Sequence, residues 1–160
     1  YGTLRRGCRN HSVARQAGLV NPRPAALYGA QLFALPVGYP ALILVTPADA
    51  TAATIGGERV EGELFQFIDQ RKAFELLDPF EDVPVEYLRT IVTTKLSSDE
   101  TSGRAAASNN NRRAWVYVYP SRAAVLAAGG RRIRGGVWRA DLEGTTRADP
   151  IDEPSEPADS

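Results

Sequence analysis

Residues 59–96, RVEGELFQFIDQRKAFELLDPFEDVPVEYLRTIVTTKL, decide the fold class. Arg59 to Ile68 alternates with period two, as a strand does. Val60, Leu64 and Ile68 share one face, and Glu61, Glu63, Phe65 and Phe67 share the other. At Gln70 the period changes. Arg71, Phe74 and Leu77 recur every third or fourth residue, which predicts a short helix from Gln70 to Asp78, ended by Pro79. Tyr87 to Leu96 returns to strand, with Leu88, Val92 and Leu96 on one face. Strand, helix and strand in succession indicate an α+β protein, a small mixed sheet or barrel with helices packed outside.

The flanking sequence extends this pattern. Ala114 to Tyr119 (AWVYVY) is a further strand, with Val116 and Val118 alternating against aromatic residues. Ala41 to Val45 is a short buried strand, and Leu27 to Leu35 is a strand or bent strand with a glycine interruption. Ser12 to Ala17 predicts a short helix stopped by Gly18, and Arg122 to Ala128 a helical turn or two before Gly129-Gly130. Pro22 and Pro24 make residues 21–26 irregular, while 46–58 and 97–113 have the polar composition of loops.

A chain of 160 residues builds one hydrophobic core. It contains no apolar run near the ~18 residues of a membrane-spanning helix. One cysteine, Cys8, excludes an internal disulfide and cysteine-rich zinc sites, and one histidine, His11, excludes sites needing two imidazoles. Both point to a reducing, cytoplasmic setting. The formal charge is zero, which argues against nucleic-acid and membrane-surface partners, but the zero is a cancellation. Residues 141–160 carry −6 and residues 1–140 carry +6. This divides the chain into a globular domain, 1–140, and an acidic tail, 141–160, expected to be disordered for want of apolar residues to bury. The absence of methionine, with Tyr1-Gly2-Thr3-Leu4 at the very start, reads as a fragment or processed chain.

Three groups of residues invite a chemical reading. Cys8 and His11 have the residue types of a nucleophilic pair but lack an orienting third group, so the local reading is preferred. Arg131, Arg132, Arg134 and Arg139 among glycines suit an anion or RNA, yet Trp138 is the only aromatic among them, and a solvated basic loop is the simpler reading. Glu81 lies between Pro79-Phe80 and Val83-Pro84. Apolar neighbours raise a carboxyl pKa toward neutrality, as a general acid/base requires, and composition leaves that reading level with a solvated one.

Tyr1-Gly2-Thr3-Leu4-Arg5-Arg6-Gly7 with Asn10-His11 resembles the opening signature of the gamma-glutamylcyclotransferase-like family. The likeness is to the branch holding gamma-glutamylamine cyclotransferase and the plant avirulence-induced-gene proteins. Further blocks follow in order: Gly38-Tyr39-Pro40-Ala41-Leu42, Val60-Glu61-Gly62-Glu63-Leu64-Phe65, Leu77-Asp78-Pro79-Phe80-Glu81, and Tyr87-x-Arg89. The chain departs in having no hydrophobic strand before Tyr1, in Asp82, and in Gly136-Val137-Trp138 where members often read Gly-Asp-Trp.

The resemblance implies a small, mixed, partly closed β-barrel flanked by short helices, its first strand missing. It implies a pocket between Tyr1-Gly2-Thr3-Leu4 and a catalytic Glu81. Tyr1, Gly2, Thr3, Leu4 and Tyr87 are the expected substrate-binding residues, with Tyr39 and Glu63 either pocket or structural. The expected substrate is a small gamma-glutamyl amine or peptide, from which 5-oxoproline is released without metal or cofactor. A different acyl transfer, or a non-catalytic module binding an anion or RNA through Arg131 to Arg139, are the alternatives.

Overall fold

A computed structural model describes residues 1–45, 58–97 and 110–143. Its strands form two sheets. The larger has the order β4-β1-β5-β6, built from β1 (Leu19–Tyr28), β4 (Arg59–Phe67), β5 (Leu88–Leu96) and β6 (Asn111–Val118). The smaller has the order β3-β2-β7, built from β2 (Ala30–Ala34), β3 (Pro40–Leu44) and β7 (Arg131–Arg132). Three helices accompany them: α1 (His11–Gln16), α2 (Gln70–Phe80) and α3 (Arg122–Ala127). The α+β class stands. Among the described residues the partly closed barrel that the resemblance implied takes the form of two open sheets. All pairings between named strands are antiparallel, and a single parallel bridge, Glu61 to Val137, joins β4 to the chain after β7.

Residues 19–28 correct the irregular reading of 21–26. Two prolines sit inside β1 because β1 pairs with β5 only at Ala25 and Ala26. At Pro24 that side uses only the carbonyl, which accepts from the Ser97 amide at 3.0 Å, so a missing N–H is tolerated. A register shift between Val20 and Arg23, with Asn21 at φ 46°, absorbs the strain on the β4 side. At Gly29 the chain leaves the large sheet for the small one, so Leu27 to Leu35 is the end of one strand and all of another. Residues 131–132, expected as loop, pair with Phe33 and Ala34, and Arg132 forms an ion pair with Glu58. The loop expected over 46–58 lies outside the described residues except for Glu58, and 98–109 of the expected hairpin loop also lie outside. Asn111 to Arg113 extend β6 back into that loop.

β2 explains why the core sits between the sheets. Ala30 and Leu32 face Leu27, Leu42, Val60, Val118 and Trp138, while Phe33 turns to Ile43 and Val125 beneath α3. A strand buried on both faces reads as a continuous apolar run, as AQLFA does with its one buried glutamine. α2 packs Ala73 and Leu77 against Ala17, Phe67 and Tyr117 on the outer side of the large sheet. Its first turn is capped by Asp69, whose Oδ1 accepts from the Arg71 and Lys72 amides at 3.0 and 3.1 Å. Pro79 lies inside the last turn rather than ending the helix, and the Glu81 amide still reaches the Leu77 carbonyl at 2.9 Å.

The tail expected from 141 begins as a 3-10 turn, Ala140–Leu142, and Leu142 packs against the main core. Residues 144–160 lie outside the described residues. Trp138 is the largest of the side chains under 2% or so exposed, and it closes the gap between the sheets. Trp138→Ala is expected to cost about 3–5 kcal/mol of unfolding free energy. Urea denaturation, read as a lower midpoint at unchanged slope, checks this.

Candidate active site

The opening residues form a 3-10 turn, Gly2–Leu4, wedged between β4 and the start of β3. Gly2 has φ +79°, and a Cβ there would stand 2.8 Å from Pro40 Cγ. A Cβ on Gly62 would stand 2.8 Å from the Tyr1 nitrogen, so β4 admits the turn only through a glycine. Side chains then fix the turn from below. Asn10 donates through Nδ2 to Thr3 Oγ1 at 3.0 Å and through its amide to the Thr3 carbonyl at 3.1 Å. His11 donates from Nδ1 to the Leu4 carbonyl at 3.0 Å. Glu63 accepts from the Arg6 amide at 2.9 Å.

His11 is thus a fastener for the turn. The Cys8 thiol is pushed up by burial and by Glu143, the reverse of an activated thiol. The local reading of this pair holds.

A cavity of about 460 Å³ opens beside the turn. Tyr1, Gly2, Thr3, Leu4, Glu81 and Tyr87, all six residues expected from the sequence, line it. Tyr39 and Glu63 line it too. Glu81 follows directly on α2, and its carboxyl is pushed up to about 7. Burial is the main cause, and Glu86 adds to it. The solvated reading of Glu81 is therefore set aside.

Asp78, one turn earlier, is part-buried and held by two partners. Arg89 Nη1 contacts both its oxygens at 2.8 and 2.6 Å, and the Tyr117 hydroxyl donates to Oδ1 at 2.8 Å. The Arg89 guanidinium lies 3.8 Å from the Phe74 ring centroid, stacked on α2 itself.

The tyrosine hydroxyls of the cavity are committed. Tyr1 donates to the Tyr117 carbonyl and Tyr87 to the Pro40 carbonyl, each at 2.7 Å, and Tyr39 donates to Glu86 Oε1 at 2.8 Å. Burial raises all three phenols, Tyr39 to about 12, so they are protonated donors at neutral pH. Glu86 and Tyr117 were not singled out from the sequence. Glu86 carries no motif, and it reaches the cavity because residues 81–86 fold back, with the Val85 and Glu86 amides both bonded to the Asp82 carbonyl. The only signal for Tyr117 was its place in the alternation of β6.

A cavity in which a backbone turn meets a buried carboxyl that titrates near neutrality has the parts of an acid–base enzyme. The chain belongs to the gamma-glutamyl cyclotransferase, AIG2-like family, whose sequence profile matches residues 1–140. Membership supports a cyclotransferase-type function. Among solved structures, a uropathogenic E. coli-specific protein superposes with a TM-score of 0.50 at 19% identity, covering 82% of each chain. An AIG2-like protein from Mus musculus gives 0.47 at 23% identity, over 75% of this chain and 74% of that one. An uncharacterised protein from Pyrococcus horikoshii gives 0.46 at 16% identity, over 86% and 84%. Comparison with curated proteins finds no match. Among the described residues no helix is long and apolar enough to cross a membrane, and no cluster of three potential metal ligands occurs.

The raised carboxyl makes a signed prediction. Between the ordinary value of 4.5 and about 7 the folded protein binds a proton at Glu81 that the unfolded chain has released. Stability therefore falls as pH rises through this window. Glu81→Gln removes the penalty and is expected to stabilise the protein at pH 8 by on the order of 2–3 kcal/mol, with the gain shrinking toward zero at acid pH. Urea melts of both proteins at several pH values check the sign and the window.

Proposed function

We propose that the protein releases 5-oxoproline and a free amine from a gamma-glutamyl amide, with Glu81 as general acid/base. The observation that carries this reading is the lining of one cavity by both the Gly2–Leu4 turn and the protonatable Glu81.

The substrate's α-amino nitrogen attacks its own gamma-carbonyl carbon. That N–C bond forms, the bond from the same carbonyl carbon to the leaving nitrogen breaks, and a five-membered lactam closes. Ionised Glu81 takes a proton from the substrate ammonium, freeing the lone pair that attacks, and passes it to the departing nitrogen; the second proton, shed by the new lactam nitrogen, leaves on the departing amine. Holding the glutamyl chain curled supplies part of the rate, because intramolecular attack gains from a fixed near-attack geometry. The first amides of a 3-10 turn have no partner within the turn, and those at Gly2–Leu4 are the donors available to the developing oxyanion or the substrate carboxylate. Tyr1 and Tyr87 shape the wall with their rings, since their hydroxyls are bonded to backbone.

Purified protein incubated with a panel of gamma-glutamyl amines, dipeptides and ε-lysine conjugates is expected to release 5-oxoproline, read by mass spectrometry. Glu81→Gln is expected to lower the rate by about 10²–10⁴-fold while the circular dichroism is unchanged. An active Glu81→Gln protein would overturn the mechanism. Because Glu81 must be ionised to accept the ammonium proton, kcat/KM is expected to fall as pH drops through about 7.

A further inference from the structure

Glu86 brings a further carboxylate, beside Glu63, into the cavity that holds Glu81. It is half-buried, and its Oε1 is held by the Tyr39 hydroxyl at 2.8 Å. The fold spends several interactions on putting it there. Residues 81–86 turn back on themselves, with Asp82 at φ 49° and the Glu86 amide bonded to the Asp82 carbonyl at 2.9 Å. The Tyr39 ring is steadied by Tyr87, 6.5 Å between centroids, and Tyr87 in turn by Tyr119 at 5.4 Å.

The other charged and titratable groups around Glu81 do not duplicate this one. Glu63 on β4 is offset by the Arg6 amide and guanidinium. Tyr1, Tyr87 and Tyr117 are neutral donors bonded elsewhere. Asp82 is exposed, and Arg113 enters the cavity lining from an exposed position on β6. Among the described residues no cation pairs with Glu86.

We propose that Glu86, held by Tyr39, is a positioning residue that fixes a negative charge in the cavity and so strengthens Glu81 as the base for the substrate ammonium. This rests on the cyclotransferase reading of the site. The physical reason is that a nearby like charge disfavours ionisation of a carboxyl, and the partial burial of both groups reduces the screening between them. The coupling between the two residues agrees in sign, Glu86 raising Glu81. Tyr39 donates to Glu86 Oε1 and so holds that oxygen at the cavity wall.

The test reads Glu81 directly. Its carboxyl carbon is followed by ¹³C NMR titration in the wild type, Glu86→Gln and Tyr39→Phe, with the resonance identified by its loss in Glu81→Gln. The Glu81 midpoint is expected to fall by at least about half a pH unit in Glu86→Gln. A smaller fall is expected in Tyr39→Phe, where Glu86 is freed to swing toward solvent. The acid limb of kcat/KM is expected to move by the same amounts. A merely structural role would lower activity without moving either midpoint, and an unmoved midpoint in the variants overturns the proposal. If Glu86→Gln fails to fold, Tyr39→Phe decides alone. The NMR arm stands whether or not the wild type releases 5-oxoproline, so failure of the functional reading is seen separately.

Discussion

The contact on which the site depends is the pairing of Asp78 with Arg89, joined by Tyr117. It spans three elements: the last turn of α2, the start of β5 and the end of β6. Both charged side chains are about a quarter exposed, 25% and 28%, so water screens the pair only in part. Hydrogen bonds to charged groups under such conditions contribute about 1.5–3 kcal/mol, more than an exposed surface pair. The guanidinium is further sandwiched near Phe74 and Trp115, the one from α2 and the other from β6. With α2 locked to β5 in this way, the short stretch between them has little freedom. That stretch carries Glu81 at one end and Glu86 at the other, so an interaction outside the cavity's carboxylates sets where both of them stand.

Within the cavity the division of labour follows from titration. The hydroxyls of Tyr1, Tyr39 and Tyr87 are spent on two carbonyls and one carboxylate, and burial keeps each of them protonated. They act as fixed pins. Glu81 is different, because its raised value of about 7 leaves it able to hold or release a proton in the neutral range. The same burial that gives it this capacity costs folding stability at neutral pH, the usual exchange between a useful group and a comfortable one.

Much of this was legible in the sequence, and the exceptions have physical causes. The strand at 59–67, the helix start at Gln70 and the strand ending at Leu96 follow from periodicity, which is set by local geometry. Glu81 and the Tyr1 to Leu4 turn were legible from ordered blocks at compatible spacing. β1 was hidden because Pro22 and Pro24 break strand composition, and only the pairing partners reveal that most of its β5 side carries no ladder there. β7 was hidden because two arginines and flanking glycines have loop composition, yet the edge of β2 offers them a ladder. Glu86 was hidden because its position depends on a fold-back that no period encodes.

The charge division of the chain also changes meaning at its boundary. The acidic stretch from 141 reads by composition as detached, but its second acid, Glu143, is built into the domain. One oxygen accepts from the Arg9 amide at 2.9 Å and the other from Trp138 Nε1 at 3.2 Å. Arg5 meanwhile donates to the Trp138 carbonyl at 3.2 Å. The loop that follows the Gly2–Leu4 turn is thus tied to the end of the described chain, through a tryptophan that is itself core. Asn10 and His11, which hold Thr3 and Leu4, stand directly after the residue that Glu143 binds. Order in the Gly2–Leu4 turn is therefore continuous with packing between the sheets, and a carboxylate counted as tail by composition belongs to the contacts that position the cavity wall.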